Sequence, residues 1–157
     1  MITRREMMKT MVGSAALTSQ LFAAMALAEA TEGGATDADK VPNLLASDKG
    51  VTVRPILQHE MPDAPGKQIS MVVVEFAPGA GNSAHRHPGS TVAYVLEGSV
   101  VSEVDPDKPV TYHAGQAWYE LPMHTHRVAR NASRTRKAKI LAVLISATGQ
   151  DLVLPPG

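Results

Sequence analysis

From residue 51 onward the chain alternates short apolar runs with turns rich in Gly, Pro and Asp, and no run keeps a helical period. The strongest runs are Gln68–Ala77 (QISMVVVEFA) and Lys137–Ser146 (KAKILAVLIS), and the consecutive apolar residues of the first predict a strand buried on both faces. The other predicted strands are Val51–His59, Ser83–His87, Thr91–Glu97, Ser99–Asp105, Val110–His113, Ala117–Leu121 and His124–Arg130. Short strands at this regular spacing predict an all-β sandwich or barrel, and the pattern alone does not choose between the two.

Turn residues separate these runs and delimit the domain. Pro78–Asn82, Pro88–Ser90 and Asp105–Pro109 are predicted turns because they combine Pro with Gly, Asn, Ser or Asp. Residues 29–50 are rich in Ala, Gly, Asp and Thr without a sustained period, so we expect a flexible segment there. The β domain is therefore predicted to span residues 51–147, and residues 148–157 form a C-terminal tail.

The first 28 residues have a basic start, an apolar middle and a small-residue end (MITRREMMKTMVGSAALTSQLFAAMALA), which predicts a cleaved secretory signal peptide. Arg4 and Arg5, followed by Met7 and Met8, resemble the twin-arginine consensus. The expected cut follows Ala28, and the alternative is an amphipathic N-terminal helix that is retained. We therefore expect an exported, periplasmic protein without stable membrane association after cleavage.

Composition narrows the classes of function. The chain has 157 residues, the length of one domain, and its 15 basic and 15 acidic residues cancel, which argues against a nucleic-acid partner. Hydrophobic residues make up 44% of the chain but aromatic residues only 4%, so the core must be mainly aliphatic. The absence of cysteine excludes disulfides, thiolate metal sites and cysteine nucleophiles.

Two histidines one residue apart are the main candidates for chemistry. His85 and His87 lie in PGAGNSAHRHPGSTVAYVLEG, and residues i and i+2 of an extended strand point to the same face. The two imidazoles would thus emerge side by side, whereas the alternative is a surface HxH in a loop. A third histidine, His126, follows later in the chain, and three imidazoles on rigid strands suit Fe, Mn, Zn, Ni or Cu.

The spacing around these histidines resembles the two sequence motifs of the cupin family. Gly79 lies six residues before His85, and Gly98 lies eleven after His87, where the family's closing glycine belongs. The segment GQAWYELPMHTHRVARN, residues 115–131, resembles the second motif, with His126 at the family's third metal position. The resemblance covers roughly residues 51–147. It implies a single cupin-type β-barrel (a double-stranded β-helix or jelly roll) that binds a divalent transition metal through three histidines.

The chain also departs from the family pattern at positions close to the expected metal. Thr91 stands where the family has a glutamate ligand, and Leu121 and Met123 replace the usual proline and glycine of the second motif. A hydroxyl at position 91 would leave the metal with one more unit of positive charge and favour an anionic ligand. The alternative is a metal-free barrel, since cupins without the glutamate are often metal-free.

Several nearby residues could complete the site. Thr91, His124 and Glu120 are candidates for a fourth ligand or for supporting positions around the metal. The candidate substrate contacts are Arg127, Arg130, Tyr119 and Met123. Tyr94 and Trp118 are expected to serve in core or dimer packing.

These features support three hypotheses of function. The first is an exported metal-dependent cupin that acts on a small-molecule ligand, as an oxygenase or a lyase on a small organic acid or phenol. The second is a non-catalytic ligand-binding or sensing module, with or without metal. The third is a metal-free packing domain. In each case we expect a homodimer.

Overall fold

A computed structural model of the chain describes residues 48–157, which form ten β-strands and no helix. The strands are β1 (Val51–Glu60), β2 (Lys67–Phe76), β3 (Gly81–Asn82), β4 (His85–Arg86), β5 (Ser90–Glu97), β6 (Ser99–Val104), β7 (Val110–His113), β8 (Ala117–Glu120), β9 (Thr125–Asn131) and β10 (Ala138–Ala147). The predicted signal peptide of residues 1–28 and most of the predicted flexible segment lie outside the described residues. No helix within the described part of the chain is long and apolar enough to cross a membrane.

The strands form two antiparallel sheets, so the all-β prediction is confirmed. The first sheet has the order β1-β2-β10-β5-β8, and the second has the order β3-β9-β6-β7, with β4 also paired to β9. Strands that are adjacent in sequence, such as β5 and β6, belong to different sheets. The chain therefore crosses repeatedly between the two layers, and one hydrophobic cluster contains residues of both.

The core follows the period-2 alternation of the long strands. In β10 the buried residues are Ala138, Ile140, Ala142, Leu144 and Ser146, with more exposed residues between them. β2 departs from this alternation, because Val72, Val73 and Val74 are all buried, as its consecutive apolar residues predict. The core contains few aromatic rings and is largely aliphatic, as the composition requires, and each fully buried Val, Leu or Ile side chain contributes about 1.5–3 kcal/mol.

Two glycines allow close approaches that bring the strands of the site together. Gly98 joins β5 to β6 with a φ of +75°, and a Cβ there would lie 2.7 Å from the carbonyl oxygen of Lys137. Gly89 precedes β5, and a Cβ at this position would lie only 1.8 Å from the carbonyl oxygen of Ile145. Any larger residue at Gly89 would therefore push the start of β5 away from β10.

The structure differs from the predicted strands in the region before the histidine pair. The predicted turn Pro78–Asn82 contains the short strand β3, which pairs with β9, and the predicted strand Ser83–His87 is reduced to β4. The reason is local: the backbone N–H and the hydroxyl of Ser83 both donate to the carboxylate of Asp48. Ser83 therefore bonds to a side chain and not to a neighbouring strand.

The C-terminal tail packs against the histidine region. Leu154 and Arg86 exchange two backbone hydrogen bonds of 2.9 Å, and Leu152 is almost fully buried. This tail therefore closes one side of the barrel beside β4, a contact that its sequence pattern did not indicate.

Candidate metal centre

The structure brings the three predicted histidines together inside the barrel. His85 lies on β4 and is the direct cross-strand partner of His126 on β9, while His87 follows β4. Their exposed fractions are 6% for His85, 9% for His87 and 3% for His126. One ring nitrogen from each lies within 4.8 Å of the corresponding nitrogens of the other two. Three buried imidazoles at this spacing form a group that fits a metal ion.

Each imidazole has one nitrogen hydrogen-bonded to a protein oxygen. His85 Nδ1 donates to the carbonyl of Ser83 at 2.8 Å, and His87 Nδ1 donates to the carbonyl of Leu152 at 2.7 Å. His126 Nε2 lies 2.8 Å from Ser102 Oγ. These bonds fix the orientation of the rings, and the second nitrogen of each ring, namely His85 Nε2, His87 Nε2 and His126 Nδ1, is the one that could face a metal ion.

Glu120, at the end of β8, places a carboxylate oxygen beside two of these nitrogens. Its Oε2 lies 3.2 Å from His126 Nδ1 and 3.6 Å from His87 Nε2, and the residue is 4% exposed. Its other oxygen, Oε1, accepts a hydrogen bond of 2.9 Å from the indole N–H of Trp118. The carboxylate is therefore held on one side by Trp118 and faces the histidines on the other.

The electrostatics of this cluster favour a neutral His85 and an ionised Glu120. Burial, together with the positive charge of a protonated His87, lowers the pKa of His85 to about 4. Burial alone would raise the pKa of Glu120, but hydrogen bonding and charge interaction with His126, and the charge of His87, outweigh it and lower this pKa to about 2. At neutral pH His85 is thus neutral and Glu120 is ionised, and these are the protonation states in which the two groups could bind a metal ion.

The donor set and its spacing fit a divalent transition metal. Ligands about 2.1 Å from one ion lie roughly 3.0–3.5 Å apart when they occupy neighbouring positions, as follows from the usual bond lengths and angles. The distances of 3.2 and 3.6 Å from Glu120 to the two imidazoles are close to this range. Imidazole with carboxylate suits Fe, Mn, Zn, Ni or Cu, and the donors do not select among them.

A cavity of about 320 Å³ opens beside the cluster. Most of its wall is aliphatic and comes from the inward faces of the strands: Val53, Val72, Val74, Ala93, Ala129, Ile140, Ala142, Leu144, Leu152 and Val153. No Lys or Arg is among its lining residues in the described part of the chain. The cavity therefore combines an apolar body with one polar end, which is the usual composition of a small-molecule site.

Thr91 lies at the boundary between the polar end and the apolar wall. It is only 1% exposed, points inward from β5 and lines the cavity. Its hydroxyl oxygen is buried and has no hydrogen-bond partner within residues 48–157. Buried hydroxyls usually have a partner, so this one is notable.

The remaining candidate residues lie outside the lining of the cavity. His124 turns toward the carbonyl of Asp105, to which its Nδ1 donates at 2.7 Å, and exposed Arg127 forms an ion pair with the carboxylate of the same residue. Arg130 is also exposed. These side chains are thus not brought together with the three histidines.

Tyr119 and Met123 are on the surface as well. The hydroxyl of Tyr119 donates to Ser90 Oγ at 2.7 Å, and Met123 is 48% exposed in the turn before β9. The sequence interpretation missed the supporting groups, namely Ser83, Ser102 and the carbonyl of Leu152. Ser102 could have been found, because it shares the inward face of β6 with buried Val100 two residues earlier.

Comparison with known proteins agrees with this fold. The family model described as the cupin domain matches residues 72–144. A cupin resembling RmlC from Shewanella frigidimarina is 22% identical, with a TM-score of 0.51 over 65% of this chain and 81% of its own. Residues 72–144 thus belong to the cupin superfamily, and the expected cupin-type barrel is confirmed.

Two enzymes are also similar in structure. The DMSP lyase DddQ from Ruegeria pomeroyi has a TM-score of 0.57 at 19% identity, over 74% of this chain and 59% of its own. An oxalate oxidase has a TM-score of 0.54 at 19% identity, over 70% of this chain and 57% of its own. At such low identity these likenesses show the fold alone. No curated protein matches the sequence.

Proposed function

We propose that this protein is an exported cupin that binds one divalent transition metal through His85, His87, His126 and Glu120. The proposal rests on one observation. Glu120 Oε2 lies beside His87 Nε2 and His126 Nδ1, and the other nitrogen of each of these two rings is already hydrogen-bonded to another group. Glu120 thereby replaces the carboxylate that the family resemblance places at position 91. A site with three imidazoles and one carboxylate leaves coordination positions for a small molecule.

The proposed reaction is that of an oxygenase or a lyase on a small organic acid or phenol. When bound, a divalent metal would supply Lewis-acid chemistry and, if redox-active, electron transfer. The chain's own contribution is to orient the ligating rings and to exclude water, because the cluster is buried and the cavity wall is aliphatic. The likeness to a DMSP lyase and an oxalate oxidase is consistent with such chemistry and does not choose between the two reactions.

One observation favours a second candidate, a non-catalytic module that binds or senses a ligand. Within residues 48–157, Asp48 is the only ionisable group that lines the cavity apart from the metal cluster, and its carboxylate is already bonded to Ser83. No spare acid or base thus faces the cavity from the described residues. Turnover of a substrate by the metal-loaded protein would decide in favour of the enzyme.

Assembly and location complete the proposal. The outward face of the first sheet carries Val92, Tyr94, Leu96, Tyr119 and Ile145, all substantially exposed; we call these five residues the apolar face. A homodimer through this face would remove a large apolar area from water. The signal-like residues 1–28 support export to the periplasm.

Metal analysis tests the proposed function directly. We expect wild-type protein purified after export to carry about one transition-metal ion per chain, and His87→Ala to lose most of it. His113→Ala is the matched control, because His113 is exposed and its imidazole bonds to the hydroxyl of Ser99, away from the three histidines. Equally low metal in wild type and His87→Ala, after attempted loading with Fe, Mn, Zn, Ni and Cu in turn, would refute the metal site.

A further inference from the structure

Thr91 lies between the aliphatic wall of the cavity and the metal cluster, and the proposed function gives its side chain no role. In the first sheet it is paired with Leu144 of β10 on one side and with Glu120 of β8 on the other. All three residues are buried and line the cavity. The row Leu144, Thr91, Glu120 therefore runs from the aliphatic wall to the carboxylate of the metal cluster.

The hydroxyl of Thr91 has no partner in this row. Glu120 lies across the strand pair, but its two carboxylate oxygens contact Trp118, His87 and His126. Within residues 48–157 no other group satisfies Thr91 Oγ1. A buried hydroxyl without a partner lowers stability, and a bound molecule that supplies the missing hydrogen bond offsets this loss in the complex.

The cavity restricts the chemistry of such a molecule. Its volume of about 320 Å³ is at the small end of the range for ligand sites, and its wall is mostly aliphatic. Its lining, as far as the structure describes it, contains no Lys or Arg that could neutralise a second anionic group. A compact molecule with one oxygen-bearing end and an apolar body fits, whereas a diacid would bury an unpaired charge.

We infer that Thr91 is a ligand-binding residue whose hydroxyl donates a hydrogen bond to the oxygen-bearing end of a compact, mainly apolar ligand such as a short monocarboxylate or a phenol. This inference rests on the proposed function, because the metal cluster defines the polar end of the cavity. It narrows the organic acid or phenol of the proposed function to a compact molecule with one oxygen-bearing end, and it adds a specificity residue. The aliphatic wall holds the body of the ligand, and Thr91 fixes the orientation of its oxygen relative to Glu120 and the histidines.

The test uses the Zn-loaded protein, purified after export with its whole C-terminal tail, and calorimetric titration with butanoate, phenol and succinate. Succinate has the chain length of butanoate with a second carboxylate in place of its methyl group. We expect butanoate or phenol to bind at least tenfold more tightly than succinate. If neither butanoate nor phenol binds, or if succinate binds as tightly as they do, the proposed class of ligand is refuted.

Three variants test the role of Thr91. Thr91→Val removes only the hydroxyl, so the better probe should bind about tenfold more weakly, while Thr91→Ser should keep most of the affinity. Thr91→Val should also melt about 4 °C higher than wild type, because it removes an unsatisfied buried group. Thr111→Val, at an exposed position of β7, is the matched control and should change neither property.

Zinc content is measured on the same samples, which separates this inference from the proposed function. Wild-type protein that holds no zinc would refute the metal site. If wild type and Thr91→Val hold equal zinc but bind the probe equally well, the role of Thr91 is refuted and the metal site stands. Loss of zinc in Thr91→Val alone would also overturn the inference, since the hydroxyl would then serve the metal and not the ligand.

Discussion

Thr91 on β5 and Glu120 on β8 are direct cross-strand partners, and both side chains point into the barrel. The family resemblance places a carboxylate at position 91, whereas here the carboxylate stands on the neighbouring strand at the same level. Side chains directly opposite each other in an antiparallel pair have Cβ atoms about 5 Å apart. The same corner of the barrel can therefore be supplied with a carboxylate from either strand.

The first prediction exchanges these two residues. Glu120→Thr should weaken metal binding by about a hundredfold or more, because it removes an anionic ligand from the cluster. The double variant Thr91→Glu, Glu120→Thr restores the carboxylate at the family position and should recover binding to within about tenfold of wild type. Metal affinity is measured by competition with a chelator, and folding is followed by circular dichroism.

One outcome would contradict the prediction that Glu120 is a metal ligand. If Glu120→Thr holds metal as firmly as wild type, Glu120 is not a ligand and only positions His126. Trp118→Phe is a useful control, since it removes the hydrogen bond to Glu120 Oε1 but leaves Oε2 beside the imidazoles. We expect it to reduce metal affinity by less than Glu120→Thr.

The second prediction concerns the turn that leads into β9. Leu121 to His124 is closed by a hydrogen bond from the N–H of His124 to the carbonyl of Leu121, with Pro122 and Met123 at its centre. Met123 has a φ of +66° and is the single non-glycine residue with positive φ within residues 48–157. Glycine is the preferred residue for this position of such a turn. Met123→Gly should therefore raise the free energy of unfolding by up to about 1 kcal/mol, measured by urea denaturation.

Leu121→Gly provides the comparison for this turn. Leu121 is similarly exposed, but its φ is not positive, so glycine there only adds freedom to the unfolded chain and should lower stability. Equal losses of stability in Met123→Gly and Leu121→Gly would show that the backbone at Met123 is not strained.

The histidine cluster could be predicted from the sequence because its signal is local. His85 and His87 are separated by one residue, and strand alternation alone places both on one face. The strand bounds were also close to the observed ones for the long strands, where period-2 burial is strong, as in β10. The fold and the three histidines were thus accessible from spacing and from the family resemblance.

The role of Glu120 was harder to predict because it depends on pairing between strands. The sequence alone did not decide whether Glu120 faces the interior or the solvent. Only the register of β8 against β5 places it opposite Thr91. The contribution of Leu152 depends on a tail that folds back over β4. Such long-range contacts leave no period in the local sequence, which is why the sequence did not choose between His124 and Glu120 as a fourth ligand.

The third prediction concerns export. Arg4→Lys together with Arg5→Lys should prevent processing and export, because the paired arginines are the recognition feature of the twin-arginine type of signal. The barrel of the variant should still fold and bind metal, since both residues lie in the proposed cleaved segment. Fractionation followed by immunoblotting checks this. Mature-length double variant in the periplasm at the wild-type level would contradict the twin-arginine assignment.

The last prediction concerns the apolar face of the first sheet. Val92, Tyr94 and Leu96 alternate with inward residues along β5, so their side chains share the outer side of the sheet. Tyr119 is the cross-strand partner of Val92, which extends the face onto β8. A contiguous apolar surface of this kind on an antiparallel sheet is typical of a site that pairs with another protein surface. A second copy of the chain is the proposed partner, because two such faces related by a twofold axis are self-complementary.

Tyr94→Lys places a charge at the centre of this face and should convert the dimer to a monomer at micromolar concentration, as measured by light scattering after size-exclusion chromatography. The charge would be buried without a partner in the dimer but is well solvated in the monomer. Val110→Lys is the matched control, because Val110 is similarly exposed but lies on β7 of the other sheet, so it should leave the dimer intact. A wild-type monomer at all concentrations would refute the dimer. A Tyr94→Lys variant that remains dimeric would instead show that the two copies meet through a different surface.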